Sequence, residues 1–179
     1  MKIIFCFISI VWLLSGCSSF SQASTTTLSV EAVKYSLKHA GPKATLEKYF
    51  NCEKYEDSAY QSIATGSATW VSVAEIMLKY SDACYTEGIQ DSLGHAMQIA
   101  PQNVLPLVNS KPTLAADYIC LPFISNELPI KAQLDEIAKS KNAILHVRDK
   151  KLQAQKEYCL RFIETIESNL APPQHSMPN

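Results

Sequence analysis

Apolar residues recur at steps of three and four over most of the chain, the spacing of helices that each bury one face. Val30, Val33, Leu37 and Ala40 make the first stripe, with Ser29 placed to cap it and Gly41 to stop it. Pro42 opens a short second helix carrying Leu46, Tyr49 and Phe50. Tyr55, Ala59 and Ile63 form the next face, ended by Gly66. Ser67 is placed to cap a helix whose Trp70, Val73, Ala74, Met77 and Tyr80 share one side. That spacing makes Trp70 a core residue rather than an interface anchor. Ile89, Leu93, Ala96, Met97 and Ala100 line the following helix, which Pro101 closes.

The middle of the chain is less regular. Pro101, Pro106, Pro112, Pro122 and Pro129 exclude any long helix between them. Short helical turns are expected around Val104–Val108 and Leu114–Cys120, joined by loops. Pro129 then starts a longer helix with Leu134, Ile137, Ala138 and Leu145 inward, and Ser140-Lys141-Asn142 is placed to interrupt it. Leu152, Cys159, Phe162, Ile163, Ile166 and Leu170 fall on one stripe of the last helix. No segment alternates with period two, so the predicted fold is all-α. About six to eight helices in a compact irregular bundle are expected, with stacked helix pairs as the variant.

The first residues follow a different pattern. Lys2 precedes Ile3–Leu14, an almost unbroken apolar run. A run of that length makes about 18 Å of helix, short of the ~30 Å hydrocarbon core, which reads as an export signal rather than a span. Leu14-Ser15-Gly16-Cys17 resembles the lipobox of bacterial lipoproteins: small side chains fit the peptidase and the thiol accepts a diacylglycerol. The resemblance covers only the N-terminus. It implies cleavage before Cys17, lipidation of Cys17 and a near-permanent membrane anchor. Ser18 and Ser19 replace the aspartate that retains such proteins at the inner membrane, which implies the outer membrane, facing the periplasm. The organisation expected is a signal peptide at 1–16, a lipidated cysteine and flexible tether at 17–28, one helical domain at 29–170, and a disordered tail at 171–179.

Export changes the reading of the cysteines. With Cys6 in the signal and Cys17 acylated, Cys52, Cys84, Cys120 and Cys159 remain, an even set in an oxidising compartment. Spacings of 32, 36 and 39 residues provide no zinc or thioredoxin-like pattern. Three pairings are open. Cys52–Cys84 with Cys120–Cys159 is favoured because it ties neighbouring helical segments.

Composition narrows the function classes. The chain is 47% hydrophobic and 18% charged with formal net charge −1, which excludes disorder over most of its length and leaves no broad basic surface for nucleic acid. Among the histidines, His39 stands at a helix end, His146 lies beside Arg148, and His175 lies in the tail. Glu87, Asp91 and His95 step by four along one predicted helix, with Asp82 at its start. One helical row cannot surround an ion, so neither a metal nor a cofactor is expected, and no catalytic residue is assigned. The acidic pairs Glu56-Asp57 and Asp135-Glu136 point apart on their helices. Thr65-Gly66-Ser67-Ala68 fits a helix stop and cap rather than a nucleophile elbow.

Charge is segregated along the chain. Residues 80–110 hold Asp82, Glu87 and Asp91 without a lysine or arginine, whereas 148–161 hold Arg148, Lys150, Lys151, Lys156 and Arg161. The expected function is a non-catalytic protein-binding module of the envelope, of immunity, inhibitor or adaptor type. Asp82, Glu87, Asp91 and His95 are its candidate partner-binding residues. The alternatives are a hydrolase acting on cell wall or lipid, with Glu87, Asp91 and His95 as acid/base groups, and a carrier of a small apolar ligand.

Overall fold

Gly41 sets the first corner. Its φ of +86° is open to glycine at no steric cost, and it turns α1 (Val30–His39) into α2 (Pro42–Tyr49). Across that corner Thr45 Oγ1 donates to the Gly41 carbonyl at 2.8 Å and lies 3.0 Å from the buried Ser36 hydroxyl. The computed structural model describes residues 28–52 and 59–170. The signal peptide, Cys17, the tether up to Thr27, Tyr55, Glu56, Asp57 and the tail at 171–179 lie outside the described residues.

α3 (Ala59–Ala64) ends at Gly66, φ +71°, and leads into α4 (Ala68–Met77). α5 (Ala83–Ile99) is the centre of the fold, packing against α3, α4, α7 and α8. It buries Gly88, Ile89, Gln90, Ser92, Leu93, Gly94, Ala96 and Met97, so more than one face is covered. The prolines then act as expected: α6 (Pro101–Val104), 3₁₀ turns at Leu105–Leu107 and Pro112–Leu114, and α7 (Ala116–Ile119) are all single turns. Two long helices, α8 (Ile130–Leu145) and α9 (Gln153–Leu170), complete the bundle. The described residues contain nine α-helices and no strand, and the bundle is compact and irregular. Val33, Leu46, Phe50, Ile63, Trp70, Met77, Leu93, Met97, Leu105, Ile119, Ile137 and Ile163 share one core. Trp70 is a core residue, as its spacing predicts.

The disulfides are Cys52–Cys84 and Cys120–Cys159, with Cα–Cα distances of 5.5 and 5.4 Å. They close loops of 32 and 39 residues. In the chain-entropy account each stabilises by roughly 3.5–4 kcal/mol. The second ties α9 to the residue that ends α7.

Four local expectations are corrected. Ser140-Lys141-Asn142 does not interrupt α8: Ser140 is fully buried and accepts from Gln98 Nε2 at 3.2 Å. Ala138 and Leu145 are exposed, and the inward face runs through Gln133, Ile137, Ser140 and Ile144. That face is the helical repeat carried by two polar residues, each with a hydrogen-bond partner, so apolar residues alone trace the wrong stripe. Tyr80 is exposed because α4 ends at Met77 and the chain leaves helical phase before reaching it. Ser29, Ser67 and Asp82 occupy N-cap positions, but none gives a side-chain cap bond; Ser29 Oγ donates to the Glu31 carboxylate at 2.8 Å instead. Among the described residues no helix is long and apolar enough to cross a membrane.

Candidate interaction groove

Gly94 decides where the site forms. A Cβ at this position would stand 2.5 Å from the Leu121 carbonyl carbon and from the Pro122 Cα, and closer still to the Leu121 oxygen. Only glycine lets the 121–124 segment lie directly on α5. Two further bonds fix the segment. Cys120 is disulfide-linked to α9, and the Phe123 backbone N–H donates to Asp91 Oδ1 at 2.6 Å.

Laid against α5 in this way, the segment forms one wall of a groove of about 770 Å³. Leu121, Pro122, Phe123 and Ile124 line it together with Phe162, Ile166 and Leu170 of α9 and Gln133 of α8. Phe123 is 80% exposed and Tyr118 49% exposed at the mouth, and Leu128 and Ile130 are exposed in the stretch that follows. Glu87, Asp91 and Asp117 also line the groove, and among the described residues no lysine or arginine does. Among the described residues the side chains of Glu87 and Asp117 take part in no hydrogen bond or ion pair, and both residues are exposed. The arrangement is apolar walls with an acidic rim that no described lysine or arginine neutralises.

The row read from the sequence is divided by this geometry. Glu87 and Asp91 belong to the groove. His95 opens instead onto a shallower cleft of about 390 Å³ with Tyr60, Ala64, Thr65 and Ile99, and Asp91 lies between the two. The His95 Nε2 is 3.8 Å from Asp91 Oδ2, with both side chains substantially solvated. Asp82 is exposed and lines neither. Glu136 approaches the same region from α8. Its carboxyl is held below the usual range, chiefly by the Lys139 ammonium at 2.6 Å and further by Gln98, against a partial offset from burial.

The remaining candidates have local explanations. His39 stacks beside Tyr35 with ring centroids 4.2 Å apart, and His146 Nδ1 lies 2.7 Å from the Asn142 carbonyl, to which it donates. Lys156 is occupied at the end of α8, donating to the Leu145 and Val147 carbonyls at 2.7 and 2.9 Å. Arg161 lies over the Tyr158 ring at 4.8 Å, whereas Arg148, Lys150 and Lys151 are exposed. Among the described residues no group of three or more His, Cys, Asp and Glu side chains is arranged to hold a metal ion.

Sequence reasoning missed Asp117, Tyr118 and Phe123. Phe162, Ile166 and Leu170, on the predicted stripe of the last helix, pack half-buried against the core and also line the groove. The available signal was the apolar Leu121–Ile124 run in a proline-broken segment where the sequence has no helix to bury it. A scan against protein-family models and searches of the curated proteins and of the solved structures return no match to this chain.

Proposed function

We propose that this chain is an outer-membrane lipoprotein, anchored through Cys17 and facing the periplasm, that works as a non-catalytic protein-binding module. The observation that carries the binding role is the groove: apolar walls, an exposed aromatic on its lining, and the Glu87 and Asp117 carboxylates, exposed and without a side-chain partner among the described residues. A contiguous exposed apolar surface with a polar rim is the usual mark of an interaction site. Exposed aromatics such as Phe123 and Tyr118 are the residue types that anchor interfaces. The two disulfides agree with an exported chain. The anchor rests on the lipobox resemblance of Leu14–Cys17.

Two experiments test the reading. Metabolic labelling with palmitate should mark the wild type and not Cys17→Ser. A photocrosslinker placed at Tyr118 in cells should capture one stoichiometric protein, lost in a Glu87→Gln/Asp117→Asn variant. Equal capture in wild type and variant, or none in either, refutes the binding role of this groove.

The same walls favour a second reading, a carrier of a small apolar ligand, since the groove volume is in the range of ligand pockets. Lipid seen on the protein by native mass spectrometry, and displaced when Phe162 and Ile166 are replaced, would favour the carrier.

A further inference from the structure

Resting on that reading of the groove, the geometry points to its occupant: we infer that the partner presents a cationic amphipathic α-helix. Three observations combine. The walls are apolar side chains of Leu121, Ile124, Phe162, Ile166 and Leu170, which call for an apolar stripe on the partner. The rim carries Glu87 and Asp117 with no internal cation among the described residues, which calls for lysine or arginine beside that stripe.

The third observation concerns the partner's backbone. The described residues contain no strand, so no sheet edge offers N–H and C=O groups to an extended peptide. The backbone N–H of Phe123, on the groove wall, is already taken by Asp91. Among the described residues the groove's side-chain amides are Gln90, Gln133, Asn126 and Asn169, the first two already bonded to the Thr113 and Leu128 carbonyls, so a helix, which satisfies its own backbone, suits these walls better than an extended segment does. The groove lies between α5, α7, the 121–126 segment and α9, and an apolar groove with walls of this kind is the setting in which helix-in-groove recognition works.

The test uses the full chain, lipidated and held in nanodiscs of neutral phosphatidylcholine, with empty discs as the blank. The probe is a fluorescent Leu/Lys amphipathic peptide of about 18 residues, long enough to hold a helix. Its companions are a Leu/Glu version and a Leu/Lys peptide of the same composition with the stripe scrambled. Anisotropy titration should show saturable binding of the first only, weakened by salt between about 0.05 and 0.5 M. Glu87→Gln/Asp117→Asn should weaken it about threefold to tenfold, and Phe123→Ala about tenfold. Phe123 is so exposed that its truncation leaves the fold intact, which thermal unfolding verifies.

Equal binding of the scrambled or acidic peptide overturns the proposal, as does absence of binding. Self-association of the chain abolished by Glu87→Gln/Asp117→Asn also overturns it, in favour of a second copy as occupant. If no peptide binds while the Tyr118 crosslink still captures a protein in cells, the partner chemistry is wrong and the binding role stands. If both fail, the groove itself is not the site.

Discussion

Replacing Gly94 by alanine tests the construction of the groove, because two effects of opposite sign compete there. Helix propensity alone favours alanine within α5 by about 1 kcal/mol. Packing opposes it. The new methyl would meet the Leu121 carbonyl carbon and the Pro122 Cα at 2.5 Å, roughly an ångström inside ordinary carbon–carbon contact. Both are backbone atoms, so no side-chain rotation relieves the overlap. Nor can the segment retreat freely, since Cys120 is tied to α9 and the Phe123 N–H to Asp91. Overpacking of this kind costs typically 1–3 kcal/mol and more where backbone must move. With backbone on both sides the cost falls at the upper end, about 3 kcal/mol, and the net expectation is a loss of about 2 kcal/mol. For a domain of this size that lowers Tm by about 3–10 °C. Differential scanning calorimetry of Gly94→Ala against wild type reads it. Gly41→Ala is the control, because a Cβ there meets nothing within 4 Å and only the φ of +86° opposes it, at about 1–2 kcal/mol. A Gly94→Ala protein more stable than wild type would mean that propensity wins, and that the 121–124 segment does not lie on α5.

Three further outcomes are expected. Cys120→Ser/Cys159→Ser opens a loop of 39 residues and should lower the unfolding free energy by roughly 4 kcal/mol in urea titration; a change below about 1 kcal/mol would contradict the staple. Asp91→Asn keeps an oxygen for the Phe123 N–H and should change stability by less than about 0.5 kcal/mol, whereas Asp91→Ala loses the bond and about 1–1.5 kcal/mol; equal effects would show that the hydrogen bond does not hold the segment. Glu136 has a lowered folded-state pKa, so its contribution is present above its unfolded value near 4.5 and lost as pH falls through the folded value. Glu136→Gln should therefore cost up to about 1 kcal/mol at neutral pH, given its solvent exposure. The difference from wild type should vanish in acid below that window, as pH-dependent urea midpoints would show.

The helices were legible because their stripes, stops and prolines agree. Gly41 and Gly66 end helices where the pattern places them, and the clustered prolines break the middle into single turns. The favoured cysteine pairing is the one formed, although each bridge spans intervening helices: Cys52 follows α2 and Cys84 lies on α5, while Cys120 follows α7 and Cys159 lies on α9. The inward face of α8 was not legible. Gln133 is buried with its amide on the Leu128 carbonyl just upstream of α8, and Ser140 with its hydroxyl met by Gln98 of α5, a tertiary partner that spacing cannot show. The same limit applies to α9. Phe162, Ile166 and Leu170 continue the stripe of Cys159 and Ile163, and nothing in the spacing says where the core stops covering it.

The acidic row shows how one residue type divides into two tasks. Asp91, read from the sequence as one of several equivalent carboxylates, has one oxygen committed to the Phe123 N–H and the other beside His95. It shapes the wall. Glu87, one turn earlier on α5, and Asp117 on α7 have no such commitment among the described residues and carry the charge that faces outward. The wall itself is fixed by a disulfide, a glycine contact and a hydrogen bond within a few residues of one another. A surface fixed in this way loses little conformational freedom when a partner arrives, and preorganisation of that kind is converted into affinity. The staple at Cys120–Cys159 and the missing side chain at Gly94 therefore belong to the proposed binding role as much as to stability, although neither touches the partner. On this argument Asp91→Ala should weaken the Leu/Lys peptide by loosening the wall, while Asp91→Asn, which keeps the wall, should weaken it only by the lost charge.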